Sequence, residues 1–299
     1  MKRGTTLVDG LVLAASGVVL ACLLLPAIVA ARSEARDLGC VRNLKQIGLG
    51  LHNYHAVYAS LPMSSIAAGG PGHGTGHDCF TSMLPFLELS PIYNAYNFSL
   101  ENWNEANATV VGLRLNTFLC PENRGTEPLP AEKIRTIEGN VLPGKSRFGP
   151  LHFGANWGGE RAGWATDFER DNGTFRGVML PLPSRGPNGP NGTLKLDQIK
   201  DGLSFTLAVG EKRDSFGWAV GGWAGSEFDP GTTPAYDGEN ATTQRVYTGS
   251  FHERPNFLLL DGSVRALPGT LDRKVWYALI TRDGGEAINE AELSPRVEN

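Results

Sequence analysis

Charge is scarce in this chain of 299 residues: Asp, Glu, Lys and Arg make up 19%, and no run of Lys or Arg exceeds two. With a net charge of −4 there is no basic stripe to neutralise phosphates, which excludes a nucleic-acid partner. No Gly-rich phosphate loop precedes a helix, no Gly-x-Ser-x-Gly elbow occurs, and no nucleophile stands at useful spacing from a base. The reading is a non-enzyme without a cofactor. Cysteine is limited to four residues: Cys22 lies in an apolar segment, and Cys40, Cys79 and Cys120 allow one disulfide with three pairings open.

Glycine (38) and proline (19) are plentiful, a balance that favours many turns and short strands and predicts a β-rich head. One long hydrophobic run stands out. From Leu7 to Ala31 the only charge is Asp9, and the run is long enough to cross a bilayer. Lys2 and Arg3 precede it, so the positive-inside bias holds the N-terminus in the cytoplasm and sends everything after Arg32 across the membrane. The expected location is the cytoplasmic (inner) membrane, crossed once, with an extracytoplasmic head. An ionised carboxylate within hydrocarbon costs several kcal/mol unless it is neutralised or paired, so Asp9 either finds a cation or lies near the cytoplasmic interface where water reaches it.

Beyond Arg32 the helical period continues. Leu44, Ile47, Leu51, Tyr54, Tyr58 and Leu61 recur at three- and four-residue steps and form one apolar stripe, with Arg42, Lys45, Gln46 and Asn53 on other faces. A continuous helix from Thr5 to about Ala59 would span roughly 80 Å, and Leu61-Pro62 ends it. The Gly-rich stretch after Pro62 reads as a loop, and CFTSMLPFLELSPIYNAYNF as two short helical turns with Ser90 as N-cap and Pro91 at the first helical position. Strands are expected at Thr117–Cys120, Arg147–Phe153, Gly173–Leu180 and Phe205–Glu211. A further pair, Asn256–Leu260 with Ser263–Leu267, is joined by a two-residue turn at Asp261-Gly262. A last helix covers about Leu271 to Thr281. The fold class is therefore α+β, and the chain divides into residues 1–4, a membrane part 5–31, an amphipathic extension 32–61 and a head 62–299.

Several polar groups invite a site. His52 and His55 lie one turn apart, but His55 flanks the stripe and His52 projects away from it, which favours a hydrogen-bonding role over metal binding. His73, His77, Asp78 and Cys79 are the densest set of metal-ligand types, without the second ligand pair that a zinc site needs. DNGT and PNGPNGT carry calcium-type ligands at spacings that turns explain equally well. His252 with Asp261 resembles a catalytic pair, yet Asp261-Gly262 is first a hairpin turn. Four tryptophans, Trp157, Trp164, Trp218 and Trp223, would serve a solute-binding module if exposed and a sheet core if buried. Val19-Leu20-Ala21-Cys22 loosely resembles a lipoprotein box, although the following residues stay hydrophobic.

The opening MKRGTTLVDG resembles a prepilin leader, in which a membrane peptidase cuts after the Gly and methylates the new N-terminus. The resemblance implies cleavage after Gly4, a mature chain beginning at Thr5, and Asp9 as the acidic fifth residue that pairs with a neighbouring subunit's amine. Thr5 and Asp9 stand where pilin families usually carry Phe and Glu. Further stretches, CVRNLKQIGLGLHNYHAVYASLP, SMLPFLELSPIYNAYNF, TFLCPEN, NGTF, LDQIKDGLSFTLAVGE and GSFHERPNFLLLDGSVRAL with a late GGE, are similar to a family of pilin-like proteins abundant in planctomycete-type bacteria. That family pairs a prepilin-type leader with a C-terminal His…Asp-Gly motif, here His252, Asp261 and Gly262 at a spacing one residue shorter than usual. The resemblance implies a pilin-like fold, a prepilin peptidase and like subunits as partners, and a structural role near type II secretion or a surface fibre. It also favours pairing Cys40 with Cys120, since both fall in family-like stretches.

Overall fold

The computed structural model describes residues 7–64, 77–123, 125–134, 141–142, 144–158, 177–180, 194–212, 217–221, 254–268 and 271–293. Helix α1, Leu7–Tyr58, runs 52 residues without a break and passes through Pro26. Its first half meets no other part of the described chain. Leu11, Val12, Leu13, Val18, Val19, Leu20, Leu23, Leu24 and Leu25 all lie exposed around its circumference, a distribution that suits lipid on every side. The helix is long and apolar enough to cross a membrane. Ser16 Oγ donates to the Val12 carbonyl at 2.8 Å, so the hydroxyl is satisfied inside the segment.

In the second half Cys40, Leu44, Ile47 and Leu51 are fully buried and Tyr54 packs beside them, while Tyr58 is exposed. Leu61, just past the helix, is buried in the same core, so Tyr58 is the exposed member of the stripe. The helix stops at Tyr58 because Ala59 turns left-handed (φ 51°) and its N–H closes on the His55 carbonyl at 2.8 Å.

Two bodies enclose this half. On one flank lie α2 (Cys79–Met83), the 3-10 turn Leu84–Leu87 and α3 (Ser90–Ala95). The residue before Ser90, Leu89, caps α3 without a side-chain bond, so the helix starts one residue earlier than the expected Ser90 cap. Beyond it α4, Ala108–Val111, is one more short turn. On the other flank is a four-stranded antiparallel sheet in the order β3 (Phe153–Ala155), β4 (Leu207–Glu211), β5 (Asn256–Leu259), β6 (Val264–Ala266). A separate antiparallel pair joins β1 (Leu129–Pro130) to β2 (Arg147–Phe148). Along β5 the pleat sends Leu258, and Leu260 just beyond it, into the core shared with α1, while Phe257 and Leu259 join Trp276, Leu279 and Ile280 of α5, Arg273–Ile280. The architecture is α+β, with α1 packed on one face of the sheet and α5 on the other.

Several expected strands differ. Thr117–Cys120 is a 3-10 turn over Asn116–Phe118, because the Asn43 side chain takes the carbonyls of Asn116 (3.0 Å) and Leu119 (2.7 Å) that a ladder would use. Arg147–Phe153 divides between two sheets at Gly149-Pro150, where proline has no N–H to give a ladder. Of Gly173–Leu180 only the last four residues are described, and they are bends: Val178 and Met179 both donate to the Asn156 carbonyl. The last helix begins at Arg273, capped by Asp272 accepting from the Lys274 N–H at 2.8 Å.

Candidate functional site

The densest set of specific contacts lies where α1 leaves its apolar half and enters the head. Arg36 pairs with Glu122 at 2.8 Å. Asp37 accepts from Asn256 Nδ2 at 2.8 Å. Cys40 is joined to Cys120 by a disulfide that bridges a sequence separation of 80. Asn43 bonds the two carbonyls named above. Four side chains within two helical turns therefore tie the apolar segment to the head's interior. Asn256 also donates to Glu211 twice, backbone N–H to Oε2 at 3.0 Å and Nδ2 to Oε1 at 3.1 Å, which continues the seam into β4 and β5.

The β5–β6 turn carries the motif residues. Leu259 closes on Ser263 and Gly262 N–H donates to the Leu259 carbonyl, so the loop has three residues, not two, with Gly262 left-handed at φ 84°. Asp261 Oδ1 accepts from Ser263 N–H (2.8 Å) and Oγ (2.6 Å). Burial pushes this carboxyl up, but bonds from Ser263 and Ser204 and the charge of Arg265 outweigh it and leave the group below its ordinary value. Asp261 shapes the turn. His252 lies outside the described residues, as do Gly4, Thr5 and the Asp9 side chain; Asp9 itself is a residue of α1.

His52 does not project away from the head. It is half-buried beside the turn, where a Cβ on Gly262 would meet its Nε2 at 3.8 Å. The helix is covered on two flanks, so a face that a single stripe leaves to solvent becomes a second contact. His55 Nε2 accepts from the Leu196 N–H at a long 3.4 Å.

The His77-Asp78-Cys79 set is split by the start of α2. His77 stacks edge-on against Phe98 and Tyr96, and burial lowers its pKa against the opposing bond to the Phe98 carbonyl. Asp78 is the N-cap of α2, accepting at Oδ1 from Thr81 N–H at 2.7 Å, and burial raises its carboxyl to about 7. Cys79 is a buried core residue, and His73 lies outside the described residues. Among the described residues one group of metal-ligand types converges, Cys40, Cys120 and Glu211. Its sulfurs are bonded to each other, which removes them as thiolate ligands. DNGT and PNGPNGT lie outside the described residues. Trp157 and Trp218 are buried, Trp218 Nε1 donating to the Leu113 carbonyl at 2.8 Å; Trp164 and Trp223 lie outside. Cys22 stands exposed in mid-helix.

Sequence reasoning missed the buried histidine and the buried asparagines. His152 accepts the Cys120 N–H at Nδ1 (3.0 Å) and faces the Gly125 carbonyl with Nε2 (2.9 Å); burial lowers its pKa to about 4, so the ring is neutral with its proton on Nε2. Asn156 Nδ2 donates to the Leu207 and Ile280 carbonyls, both at 2.8 Å, tying the sheet to α5. Asp201 accepts from Gly284 (2.7 Å) and Gly285 (2.8 Å), which brings LDQIKDG and the late GGE together. The sequence also carries a phosphate-loop spelling, GNVLPGKS over 139–146. It leads into β2, not a helix, and Ser146 Oγ is spent on the Trp103 carbonyl at 3.2 Å, so it has no helix N-terminus to offer a phosphate.

The family model SBP_bac_10, described as "Protein of unknown function (DUF1559)", matches residues 29–274. The chain belongs to this family. The match starts at the end of the apolar half of α1 and takes in the seam, both flanks, the sheet and the Asp261-Gly262 turn. Gly4, Thr5 and Asp9 fall before it, and Asp201's partners Gly284 and Gly285 after it. No curated protein and no solved structure matches the chain.

Proposed function

We propose that this DUF1559 chain is a structural, pilin-like subunit or accessory of a secretion apparatus or surface fibre, held in the inner membrane by α1 with its head outside the cytoplasm. The observation that carries the reading is that one helix does two jobs. Residues 10–29 expose apolar side chains on all sides, and Cys40, Leu44, Ile47 and Leu51 of the same helix are core residues of the head. A tether for a binding domain needs only a flexible link, whereas here Arg36, Asp37, Cys40 and Asn43 bind the helix that carries the apolar half to the head's interior, which supports the reading. In this reading a prepilin peptidase cuts after Gly4, methylates Thr5, and leaves Asp9 to pair with the amine of a neighbouring subunit.

Asp9→Asn tests it, because the change removes the charge at nearly constant size and leaves insertion intact or easier. Cross-linked multimers in membranes should fall while membrane-bound monomer persists. Equal cross-linking of wild type and variant, in cells with a working prepilin peptidase, sinks the proposal.

A membrane-tethered binding module for a carbohydrate or other solute is the second reading. Buried Trp157 and Trp218 argue against the tryptophan platform such a module would use. A different aromatic set favours it: Tyr54, Tyr58 and Phe86 stack at the distal end of α1, and Tyr93, Phe98 and His77 form a second cluster on the same flank. Tyr58→Ala with Phe86→Ala would abolish retention on immobilised polysaccharide under that reading and leave cross-linking unchanged under the first.

A further inference from the structure

The Cys40–Cys120 bridge joins two cysteines that have a third between them in the chain. Cys79 stands 39 residues after Cys40 and 41 before Cys120, and it stays outside the bridge as the first residue of α2. Loop closure favours both wrong pairs. Cys40 with Cys79, or Cys79 with Cys120, closes a loop half as long as the 80 residues of the native bridge, an advantage of about threefold for each. Cys40, Cys79 and Cys120 are all buried in one core. A protein thiol or disulfide cannot reach their sulfurs once that core has closed, so the pairing is decided earlier.

The order of arrival adds to the bias. With the head outside the cytoplasm, Cys40 crosses the membrane first, Cys79 second and Cys120 last, while Cys22 stays in the apolar half of α1. The disulfide of a dithiol oxidase therefore meets Cys40 and Cys79 as the first available pair. It takes two electrons and two protons from their thiols and leaves as a dithiol. Reaching the native bridge from there needs exchange without net oxidation. A catalyst's thiolate attacks the Cys40 sulfur, and Cys79 departs as a thiolate that takes up the proton Cys120 gives up. The Cys120 thiolate then displaces the catalyst from Cys40.

We propose that this chain is a substrate of an extracytoplasmic thiol–disulfide isomerase, which transfers Cys40 from Cys79 to Cys120 before the head closes. The inference rests on the reading that places the head outside the cytoplasm.

The test produces the full-length chain in cells with and without extracytoplasmic isomerase activity. Thiols are trapped in acid and alkylated, and disulfides are mapped by mass spectrometry of unreduced peptides. Without the isomerase, wild type should lose about threefold of its Cys40–Cys120 form and accumulate Cys40–Cys79. Cys79→Ala, which removes the competing sulfur, should form the native bridge equally in both strains. Equal native bridging of wild type in the two strains overturns the proposal, and so does an equal loss in Cys79→Ala. If that variant does not fold, wild type suffices, because failure to find Cys40–Cys79 without the isomerase also overturns the proposal. All three cysteines recovered as thiols in both strains would place the head in a reducing compartment, and the location reading would fall together with this inference. A native bridge that forms regardless of the isomerase removes this inference alone.

Discussion

Asp78 and His152 are both fully buried, and they pull the pH dependence of stability in opposite directions. Asp78 is raised from 3.8 to about 7, so its penalty on the folded state is absent below the unfolded value, grows as pH rises between the two values, and is complete above about 7. His152 is lowered from 6.5 to about 4, so its contribution is complete above 6.5 and is lost as pH falls toward 4. Each effect is on the order of 3–4 kcal/mol over its whole window. Between pH 8 and 5 the two nearly cancel in wild type. Asp78→Asn keeps the acceptor for Thr81 and removes the charge. It should gain roughly 1–3 kcal/mol at pH 8 and then lose about 2 kcal/mol on going to pH 5, from His152 alone. Urea unfolding at the two pH values reads both numbers, and a variant as flat as wild type would refute the assignment. None of this was legible in the sequence. Asp78 read as a metal-ligand type and His152 as nothing in particular, since burial and the partner of each ring or carboxyl atom are properties of packing.

At the scale of the element, α1 fits between its two flanks because it presents glycine where they come closest. A Cβ on Gly48 would meet Leu258 Cδ1 at 2.8 Å, and one on Gly50 would meet Leu87 Cδ2 at 2.5 Å and Cγ at 3.1 Å. Gly48 and Gly50 thus let the sheet and the 3-10 turn approach from opposite sides. Gly17, in the apolar half, meets nothing within 4 Å. Gly50→Val should therefore destabilise the head by about 1–3 kcal/mol through overpacking, while Gly17→Val should leave its unfolding unchanged. Thermal unfolding in detergent, followed by near-UV circular dichroism, separates them, and equal midpoints would show that the close approach is not needed. The periodic stripe made one buried face of α1 readable. Against the sheet the helix presents Gly48 and His52, a residue without a side chain and a polar ring, so the apolar period gave these positions no signal.

At the scale of the whole molecule, the boundary between the exposed apolar segment and the buried core falls inside one helix, not between two elements. Deleting residues 1–32 removes a segment whose described side chains, from Gly10 to Arg32, are all exposed, and leaves Arg36, Asp37, Cys40 and Asn43 in place. That protein should be soluble and cooperatively folded. Deleting residues 1–58 takes away Cys40, Leu44, Ile47 and Leu51 and should give a molten or aggregated chain, since each lost core Leu or Ile costs about 2–5 kcal/mol. The disulfide goes with it, a crosslink that over 80 residues contributes about 4 kcal/mol in the chain-entropy account. Near-UV circular dichroism and size-exclusion elution distinguish the two truncations, and a well-folded second one would show that the head has its own core.

The amino-acid sequence by itself determined the membrane-length helix, because the uncharged, mostly apolar run from Gly10 to Ala31 admits few other solvents. It also determined the amphipathic continuation, the β4 and β5 runs, the β5–β6 hairpin and the last helix, because each is written in a local period or a turn dipeptide. It left three cysteine pairings open from the residues alone. Only the tertiary structure decided that Cys40 meets Cys120, that Glu211 and Asn256 join them, and that a stretch such as Thr117–Cys120 gives up its strand. These outcomes depend on which distant groups arrive beside a segment. Asn43 lies 73 residues from Asn116 and Asp37 lies 219 from Asn256, and no local pattern records a partner that far along the chain.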